Sequence, residues 1–211
     1  MTDQQLATGR ALAAAGVAAT LAFVALGASV DTEAARAIDG AIRGWTLAHR
    51  SAPLSVAFLW ITILGGITGM RVVAFAGAAY LGIRERPVAG LALLIVPFAA
   101  HLFFDVTKRV YARPRPGAAA NAMDASYAFP SGHATISTAV CATLAFVLYR
   151  EQLAGRRIAT ILALLVPALV GLSRVYLDVH WTTDVIGGWC AGLMLSALWI
   201  AAYLWLRVRT G

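Results

Sequence analysis

The sequence predicts an all-α, polytopic membrane protein with six transmembrane helices and an interfacial helix after the first span. Of its 211 residues, 60% are hydrophobic and 13% are charged. That is about half the charged share of a typical soluble domain. Two uncharged runs, Ala11–Val30 and Val185–Leu206, contain 20 and 22 residues. A bilayer core about 30 Å thick requires roughly 20 apolar residues of helix, so the chain is expected to cross a membrane repeatedly.

The apolar runs divide into six expected spans. The first is interpreted as a retained anchor, because its apolar stretch is longer than the roughly 7–15 residues of a signal-peptide core. Residues 31–52 combine mixed charges with apolar residues at helical spacing, which predicts an amphipathic helix at the interface. The second run, Leu54–Ile83, is broken only by Arg71 and is too long for one upright crossing, so its start is expected to be tilted or interfacial. The expected spans are residues 9–30, 54–83, 88–107, 132–149, 158–176 and 183–206.

Composition also bears on what the chain binds. The net charge is +7, but no basic stripe alternates with exposed aromatic residues, so nucleic acid is not an expected partner. The arginines flank apolar runs, where they can face lipid headgroups. Cys141 and Cys190 both lie inside apolar runs and are interpreted as small core residues. With no internal repeat and no soluble segment, residues 1–211 are expected to form one domain.

Polar residues near the spans fall into three clusters. "KRVYARPRP" (108–116) follows the third span, "PSGH" (130–133) precedes the fourth, and "SRVYLDVHWTTD" (173–184) joins the fifth to the sixth. A chain that crosses the membrane at each span brings all three clusters to the same side. Their side chains are therefore expected to converge.

The clusters contain the groups that a phosphate site needs. Lys108, Arg115 and Arg174 are cations, and the planar fork of arginine suits phosphate oxygens. Ser131 and Gly132 open a helix, where free backbone N–H groups and the positive end of the helix dipole attract an anion. These five residues are predicted to hold a phosphoryl group.

Two histidines and a carboxylate could act on that group. His180 and Asp184 are spaced i and i+4, so one helical turn would place the carboxylate against one ring nitrogen and leave the other free as a nucleophile. His133 stands at a helix start and could protonate a leaving oxygen. The pattern predicts a histidine nucleophile, its orienting carboxylate and a histidine acid.

The three clusters resemble the three motifs of the type 2 phosphatidic acid phosphatase (PAP2) family, whose fold is shared with vanadium haloperoxidases. The first motif is Lys, six residues, then Arg-Pro, and here it is Lys108 to Pro116. The second is Pro-Ser-Gly-His, here Pro130 to His133. The third is Ser-Arg, five residues, His, three residues, Asp, here Ser173 to Asp184. All three motifs match in order.

The resemblance implies a role for each motif residue. His180 would attack phosphorus and form a phosphohistidine, Asp184 would orient it, and His133 would protonate the leaving group and then activate water. No metal and no cofactor is implied, because cations and helix dipoles would neutralise the transition-state charge. The residues implied to hold the phosphoryl oxygens are Lys108, Arg115, Ser131, Gly132 and Arg174.

The sequence leaves several functions open. The favoured one is a membrane lipid phosphatase acting on a substrate such as undecaprenyl pyrophosphate, phosphatidic acid or phosphatidylglycerol phosphate. The alternative is a phosphotransferase that passes the phosphoryl group to a lipid or sugar acceptor. A non-catalytic lipid-binding or transport protein is disfavoured by the intact nucleophile and acid. The expected partners are the lipid phosphate and membrane lipids, and the sequence gives no oligomeric state.

The side of the membrane on which the three clusters lie is predicted from the distribution of basic residues. With the N-terminus inside, basic residues divide evenly between the two sides, so the positive-inside rule alone does not decide. The tie breaks when the basic residues of 108–115 and Arg174 are reserved for phosphate. We therefore expect a multi-pass protein of the inner (cell) membrane with its active site facing the periplasm or exterior.

A few polar residues have no settled role at this point. His101 and Asp105 could line the site beneath Lys108 or pair with each other, and Arg113 could contact phosphate. Asp178 could tune the local field.

Overall fold

The protein was analysed as a computed structural model, which describes residues 3–117 and 126–210. Within these ranges the chain forms eight α-helices and no strand. The middle of the predicted polar loop, residues 118–125, lies outside the described residues. The helices are α1 (Asp3–Ser29), α2 (Glu33–Ala48), α3 (Ala52–Leu64), α4 (Ile67–Ile83), α5 (Pro87–Tyr111), α6 (Gly132–Arg150), α7 (Arg156–Tyr176) and α8 (Thr182–Thr210).

The predicted fold class is confirmed. By length and composition, five of the helices in the described ranges could each cross a membrane, namely α1, α5, α6, α7 and α8. Helices α3 and α4 are bent by 48° at a short break, and counting the pair as one broken span gives six. Pro87 stands at the start of α5, as expected of a residue without a backbone N–H.

The second span was expected to have a tilted or interfacial start, but the sequence did not locate its bend. Helix α4 continues through Arg71, and the break falls at Gly65 and Gly66. At this break α7 approaches closely: a Cβ atom at Gly65 would lie 2.0 Å from Val170 Cγ2. Glycine at this position lets the chain turn against α7 without a steric clash. Arg71 instead lies with its guanidinium carbon 5.1 Å from the centre of the Phe98 ring.

Helix α2 follows the first span, as predicted. Thr32 caps its N-terminus by accepting the N–H of Ala35 at 3.3 Å. The apolar side chains of Ile38 and Trp45 are 56% and 65% exposed, whereas Asp39 is buried. An exposed apolar face with a buried carboxylate suits a helix that lies on a membrane and turns its polar side toward the protein.

Helix α6 lies at the centre of the bundle. It packs against α4, α5, α7 and α8, and most of its side chains are buried. Small residues permit this packing, because Gly188 and Gly192 of α8 face its backbone. The N-terminal ends of α6 and α8 meet where the Ser131 N–H donates to the Asp184 carbonyl at 2.9 Å. This junction brings the second and third clusters together.

Candidate active site

The three clusters predicted from the sequence converge at one end of the helix bundle. Arg115 Nη1 lies 3.2 Å from His180 Nε2, which joins the first cluster to the third. Lys108 Nζ and Arg115 Nη2 each donate to Ser126 Oγ at 3.0 Å. The second cluster joins the third through the bond from Ser131 to Asp184. The expected convergence is therefore present in the described part of the chain.

His180 and Asp184 form the predicted i, i+4 pair. His180 Nδ1 lies 3.3 Å from Asp184 Oδ2, and both side chains are almost fully buried. The same carboxylate oxygen accepts the backbone N–H of Trp181 at 2.9 Å, which fixes its direction. With the proton on Nδ1, Nε2 is the acceptor of the Arg115 hydrogen bond and keeps its lone pair. This tautomer is the one that a nucleophilic Nε2 requires.

The surroundings of His180 keep its ring neutral. Burial is the main cause that lowers the pKa of His180 well below its ordinary value of 6.5. The positive charges of Arg115, Arg174 and Lys108 lower the pKa further, in that order. Because a protonated imidazole cannot attack phosphorus, a low pKa would keep His180 available as a nucleophile at neutral pH.

Three cations from three segments surround the ring. The buried Lys108 of α5 has its ammonium 5.6 Å from the centre of the Phe104 ring. Arg115 is held by the carbonyls of Ser126 at 2.6 Å and Val179 at 2.8 Å. On α7, Arg174 Nη1 donates to Thr62 Oγ1 at 2.7 Å, and its Nε has no partner among the described residues. These donors are positioned in advance to bind an anion.

The N-terminus of α6 contributes the predicted Ser131 and Gly132. Ser131 precedes the helix, and its buried Oγ has no partner among the described residues. A Cβ atom at Gly132 would lie 3.0 Å from the Phe104 ring, so a larger residue here would require the ring to shift by a few tenths of an ångström. The first N–H groups of a helix are free to bind an anion, and the hydroxyl lies beside them.

His133 lies in the first turn of α6, facing the break between α3 and α4. A Cβ atom at Gly66 would be 3.0 Å from His133 Nε2. The break, together with Thr62 one turn earlier, thus forms a wall of the site that the sequence analysis missed. The available signal was the glycine pair in "ILGGITG" (63–69), since adjacent glycines in an apolar run favour a break or a close approach.

Arg113, for which a contact with phosphate was considered, is instead buried among protein groups. Its side chain is only 4% exposed. It donates to Asp184 Oδ1 at 2.6 Å, to Thr183 Oγ1 at 2.7 Å and to Asp39 Oδ2 at 2.8 Å. A further bond to the Val30 carbonyl at 3.0 Å leaves little of the guanidinium for a phosphate.

Asp39 was missed by the sequence analysis. It lies 1% exposed on the side of α2 that faces the bundle and contacts both Arg113 and Thr183. Its signal in the sequence was a carboxylate on the polar face of the amphipathic helix, and a charge that becomes buried there needs a partner.

The remaining polar residues pair outside the cation cluster. Asp178 accepts two bonds from Arg43 at 2.7 and 2.9 Å and thereby ties α2 to the α7–α8 turn. This hydrogen bonding raises the pKa of Arg43. Asp105 pairs with Arg109 at 2.8 Å and not with His101. The ring of His101 packs edge-on against Phe104, with 4.9 Å between ring centres.

Known proteins resemble this chain in sequence and in fold. The phosphatidylglycerophosphatase B of Bacillus subtilis is 32% identical over 181 residues, which cover 84% of this chain and 89% of the relative. An undecaprenyl-diphosphatase of Sulfolobus acidocaldarius is 35% identical over 54% of this chain and 55% of its own length. The crystal structure of a transmembrane PAP2-type phosphatidylglycerolphosphate phosphatase from Bacillus subtilis superposes with a TM-score of 0.77 and 30% identity, over 93% of this chain and 97% of that one. Residues 88–208, which hold all three motifs, match the PAP2 superfamily, and the chain therefore belongs to the PAP2 superfamily, as its motifs predicted.

Proposed function

We propose that this membrane phosphatase removes the terminal phosphate of a lipid phosphate or lipid diphosphate through a phosphohistidine at His180. The observation that carries the proposal is the buried His180–Asp184 pair facing a cluster of cations. The named relatives act on phosphatidylglycerophosphate and on undecaprenyl diphosphate. The candidate substrates are accordingly phosphatidylglycerol phosphate, undecaprenyl pyrophosphate and phosphatidic acid. Residues 1–211 would serve as one catalytic domain, since α1 packs along α8 and α8 along α6.

In the first step His180 Nε2 attacks phosphorus in line with the leaving oxygen. The P–N bond forms as the P–O bond to the lipid breaks, and His133 gives its proton to the departing lipid oxygen. The Nδ1 proton remains in its bond to Asp184, whose negative charge stabilises the ring as it becomes cationic. The product is a lipid alcohol, or a lipid monophosphate when the substrate is a diphosphate.

The phosphoryl oxygens would bind to donors that are already in place. Lys108, Arg115 and Arg174 would neutralise their charge, while Ser131 Oγ and the first N–H groups of α6 would donate hydrogen bonds. Preorganised donors stabilise the transition state because they need no reorganisation as the charge develops. Arg115 is the exception, because in the free protein it bonds to His180 Nε2 and would have to turn toward the phosphoryl oxygens to free the nucleophile.

In the second step water attacks the phosphohistidine. His133, now neutral, takes a proton from the water while the new P–O bond forms and the P–N bond breaks. The site returns to its starting state when inorganic phosphate leaves. His133 suits both proton transfers because it stands at the start of α6, beside the proposed phosphate position.

The test is phosphate release by purified protein from a panel of the three lipid classes, with rapid base quenching to trap the phosphoenzyme and acid treatment of the trapped sample to test its lability. We expect a base-stable, acid-labile phosphoprotein in the wild type that is absent from His180→Ala. The matched control is His49→Ala, which removes an exposed histidine stacked on Trp45 in α2. Unchanged phosphate release by His180→Ala would overturn the mechanism. A phosphorylated acceptor in place of free phosphate would point to a phosphotransferase.

We further propose that the protein lies in the inner (cell) membrane with its active site facing the periplasm or exterior. The turns at the other end of the bundle are basic and carry no motif residue, as expected on the cytoplasmic side: "RERP" (84–87) and "REQLAGRR" (150–157). A membrane-impermeant thiol reagent applied to cells, with any outer membrane permeabilised, tests this in a background without native cysteines. A cysteine at Ala119, outside the described residues, should react, and one at Gly155 should not. The reverse pattern would invert the topology.

A further inference from the structure

We propose that Asp39 and Arg113 are positioning residues that hold the Asp184 carboxylate against His180 and set the charge behind the nucleophile. Neither is a specified residue of the three motifs that carry the family resemblance, since Arg113 stands at an unspecified position within the first motif. The inference rests on the His180 mechanism proposed above. It assigns the interfacial helix α2 a part in catalysis, because Asp39 is its contribution to the site.

The four residues form a continuous line of hydrogen bonds. It runs from His180 Nδ1 to Asp184 Oδ2 at 3.3 Å, and then from Asp184 Oδ1 to Arg113 Nη1 at 2.6 Å. It ends where Arg113 Nη2 donates to Asp39 Oδ2 at 2.8 Å. Each carboxylate oxygen of Asp184 is therefore assigned, one toward the nucleophile and one toward Arg113. Rotation of the carboxylate would break the contact to Arg113.

Thr183, in the first turn of α8, binds Asp39 at the end of this line of hydrogen bonds. Its N–H donates to Asp39 Oδ1 at 3.0 Å, and its hydroxyl donates to Asp39 Oδ2 at 2.7 Å. Asp39 thus binds a free N–H in the first turn of α8, in the manner of a helix cap supplied from another segment. The same hydroxyl accepts a bond from Arg113. The residue next to Asp184 is consequently fixed to α2 on two sides.

The charges explain why two carboxylates are needed. The side chains of Asp39, Arg113 and Asp184 are 1%, 4% and 0% exposed, so their charges are poorly screened by solvent. Arg113 alone would cancel the charge of Asp184, whereas with Asp39 the trio carries one net negative charge. That charge stabilises the imidazole as Nε2 bonds to phosphorus and the ring becomes cationic. Arg113 in turn separates two buried carboxylates that would otherwise repel each other.

Two isosteric or near-isosteric substitutions change this charge in opposite directions. Asp39→Asn removes a negative charge and keeps an oxygen for the Thr183 N–H, while Arg113→Gln removes a positive charge and keeps donors. We expect kcat to fall by about 10- to 100-fold in both, because Asp184 would no longer be held in place and a misplacement of about 1 Å can lower a rate by about 10²-fold. KM should change much less, because neither residue is placed to contact phosphate.

The pH profile separates positioning from general structural damage. The acid limb of kcat/KM reports protonation of His180, which a negative charge favours and a positive charge disfavours. The limb should therefore move to lower pH in Asp39→Asn and to higher pH in Arg113→Gln, by about one pH unit each. The other charged or titratable groups facing His180 are the same in both variants: Lys108 of α5, Arg115 of the loop, His133 of α6, Arg174 of α7 and Asp184 of α8.

Two further variants serve as controls. Asp31→Asn removes an equal charge from an exposed pair with Arg36 just before α2, and it should leave kcat and the acid limb unchanged. Arg113→Lys keeps the charge but cannot make four hydrogen bonds, so it should lower kcat without moving the limb.

Opposed shifts of the acid limb, with Asp31→Asn unchanged, would support the proposal. Wild-type kcat and an unmoved limb in Asp39→Asn would overturn it, and that variant decides alone if Arg113→Gln does not fold. These outcomes are distinct from failure of the mechanism itself. A wild-type protein that turns over lipid phosphate without a phosphohistidine would overturn the proposed function, whatever the two variants do.

Discussion

A single methyl group at Gly188 tests whether the packing of α8 against α6 sets the geometry of the active site. Gly188 and Gly192 form a GxxxG spacing that lets two membrane helices approach closely. A Cβ atom at Gly188 would lie 2.7 Å from the Ser131 carbonyl oxygen and 2.8 Å from Ala134 Cβ. Both atoms belong to the start of α6, where the candidate phosphate-binding groups lie.

The size of the effect follows from these distances. Ordinary contact begins at 3.4 Å, so Gly188→Ala requires α6 and α8 to move apart by about 0.7 Å at this point. The shift falls on Ser131, whose N–H binds the carbonyl of Asp184. It therefore separates the N-terminus of α6, proposed to bind phosphate, from the His180–Asp184 pair. Because a misplacement of about 1 Å can lower the rate by 10²-fold, we expect kcat to fall by about 10- to 100-fold. Overpacking should also cost about 1–3 kcal/mol of stability.

The assay compares kcat and thermal unfolding of purified Gly188→Ala with those of Gly82→Ala. Gly82 lies in α4 at the other end of the bundle, and a Cβ atom there would meet nothing within 4 Å. The control adds the same methyl group to a helix without a clash, so it should keep full activity. Equal kcat in the two variants would refute the link between the α6–α8 contact and the chemistry. A loss of stability at Gly188 without a loss of kcat would refute it as well.

Four other outcomes are expected. His180→Ala should show no phosphate release, and Asp184→Asn should lose at least about 100-fold in kcat because the ring loses its orienting charge; rapid-quench assays at saturating lipid measure both. Thr62→Val removes the acceptor of Arg174 Nη1 and should raise KM by about tenfold, since hydrogen bonds to charged groups contribute about 1.5–3 kcal/mol. Activity should persist as pH falls below 6.5, because burial and neighbouring cations lower the pKa of His180 and only protonation of the ring removes the nucleophile; a kcat/KM profile that falls at pH 6.5 would contradict this. Activity should survive EDTA and be inhibited by vanadate, which adopts the five-coordinate geometry of phosphoryl transfer, whereas a loss in chelator restored by magnesium would count against a cation-lined site.

The helices were predictable because a bilayer imposes a length on each apolar run. All six predicted spans correspond to helices or to the bent pair, with most boundaries shifted by only a few residues. The motif residues were predictable for a related reason. Phosphoryl transfer needs particular side chains, and His180 and Asp184 are close enough in the chain for one helical turn to pair them.

The break between α3 and α4 was not predictable from hydropathy. Leu54–Ile83 is apolar throughout except for Arg71, and that charge sits within α4 against an aromatic ring. At the end of α3, Gly65 packs closely against Val170, which belongs to a helix more than one hundred residues later in the chain. A pair of glycines permits a break, but hydropathy carries no information about the helix that packs against it.

The roles of Arg113 and Asp39 were also not predictable from the sequence, because they depend on contacts between distant segments. Arg113 belongs to an arginine-rich run in which the sequence does not distinguish the arginines that contact phosphate from those that do not. Asp39 lies 74 residues earlier, on a different helix. No local spacing relates them, because their contact exists only once α2 has folded back over the start of α8. The groups proposed to touch substrate carry a chemical requirement that is written into the motif. Arg113 and Asp39 need only balance each other's buried charge. Many other pairs of positions in the chain could satisfy that requirement. For this reason, variants of Asp39 test the three-dimensional arrangement in a way that variants of motif residues do not.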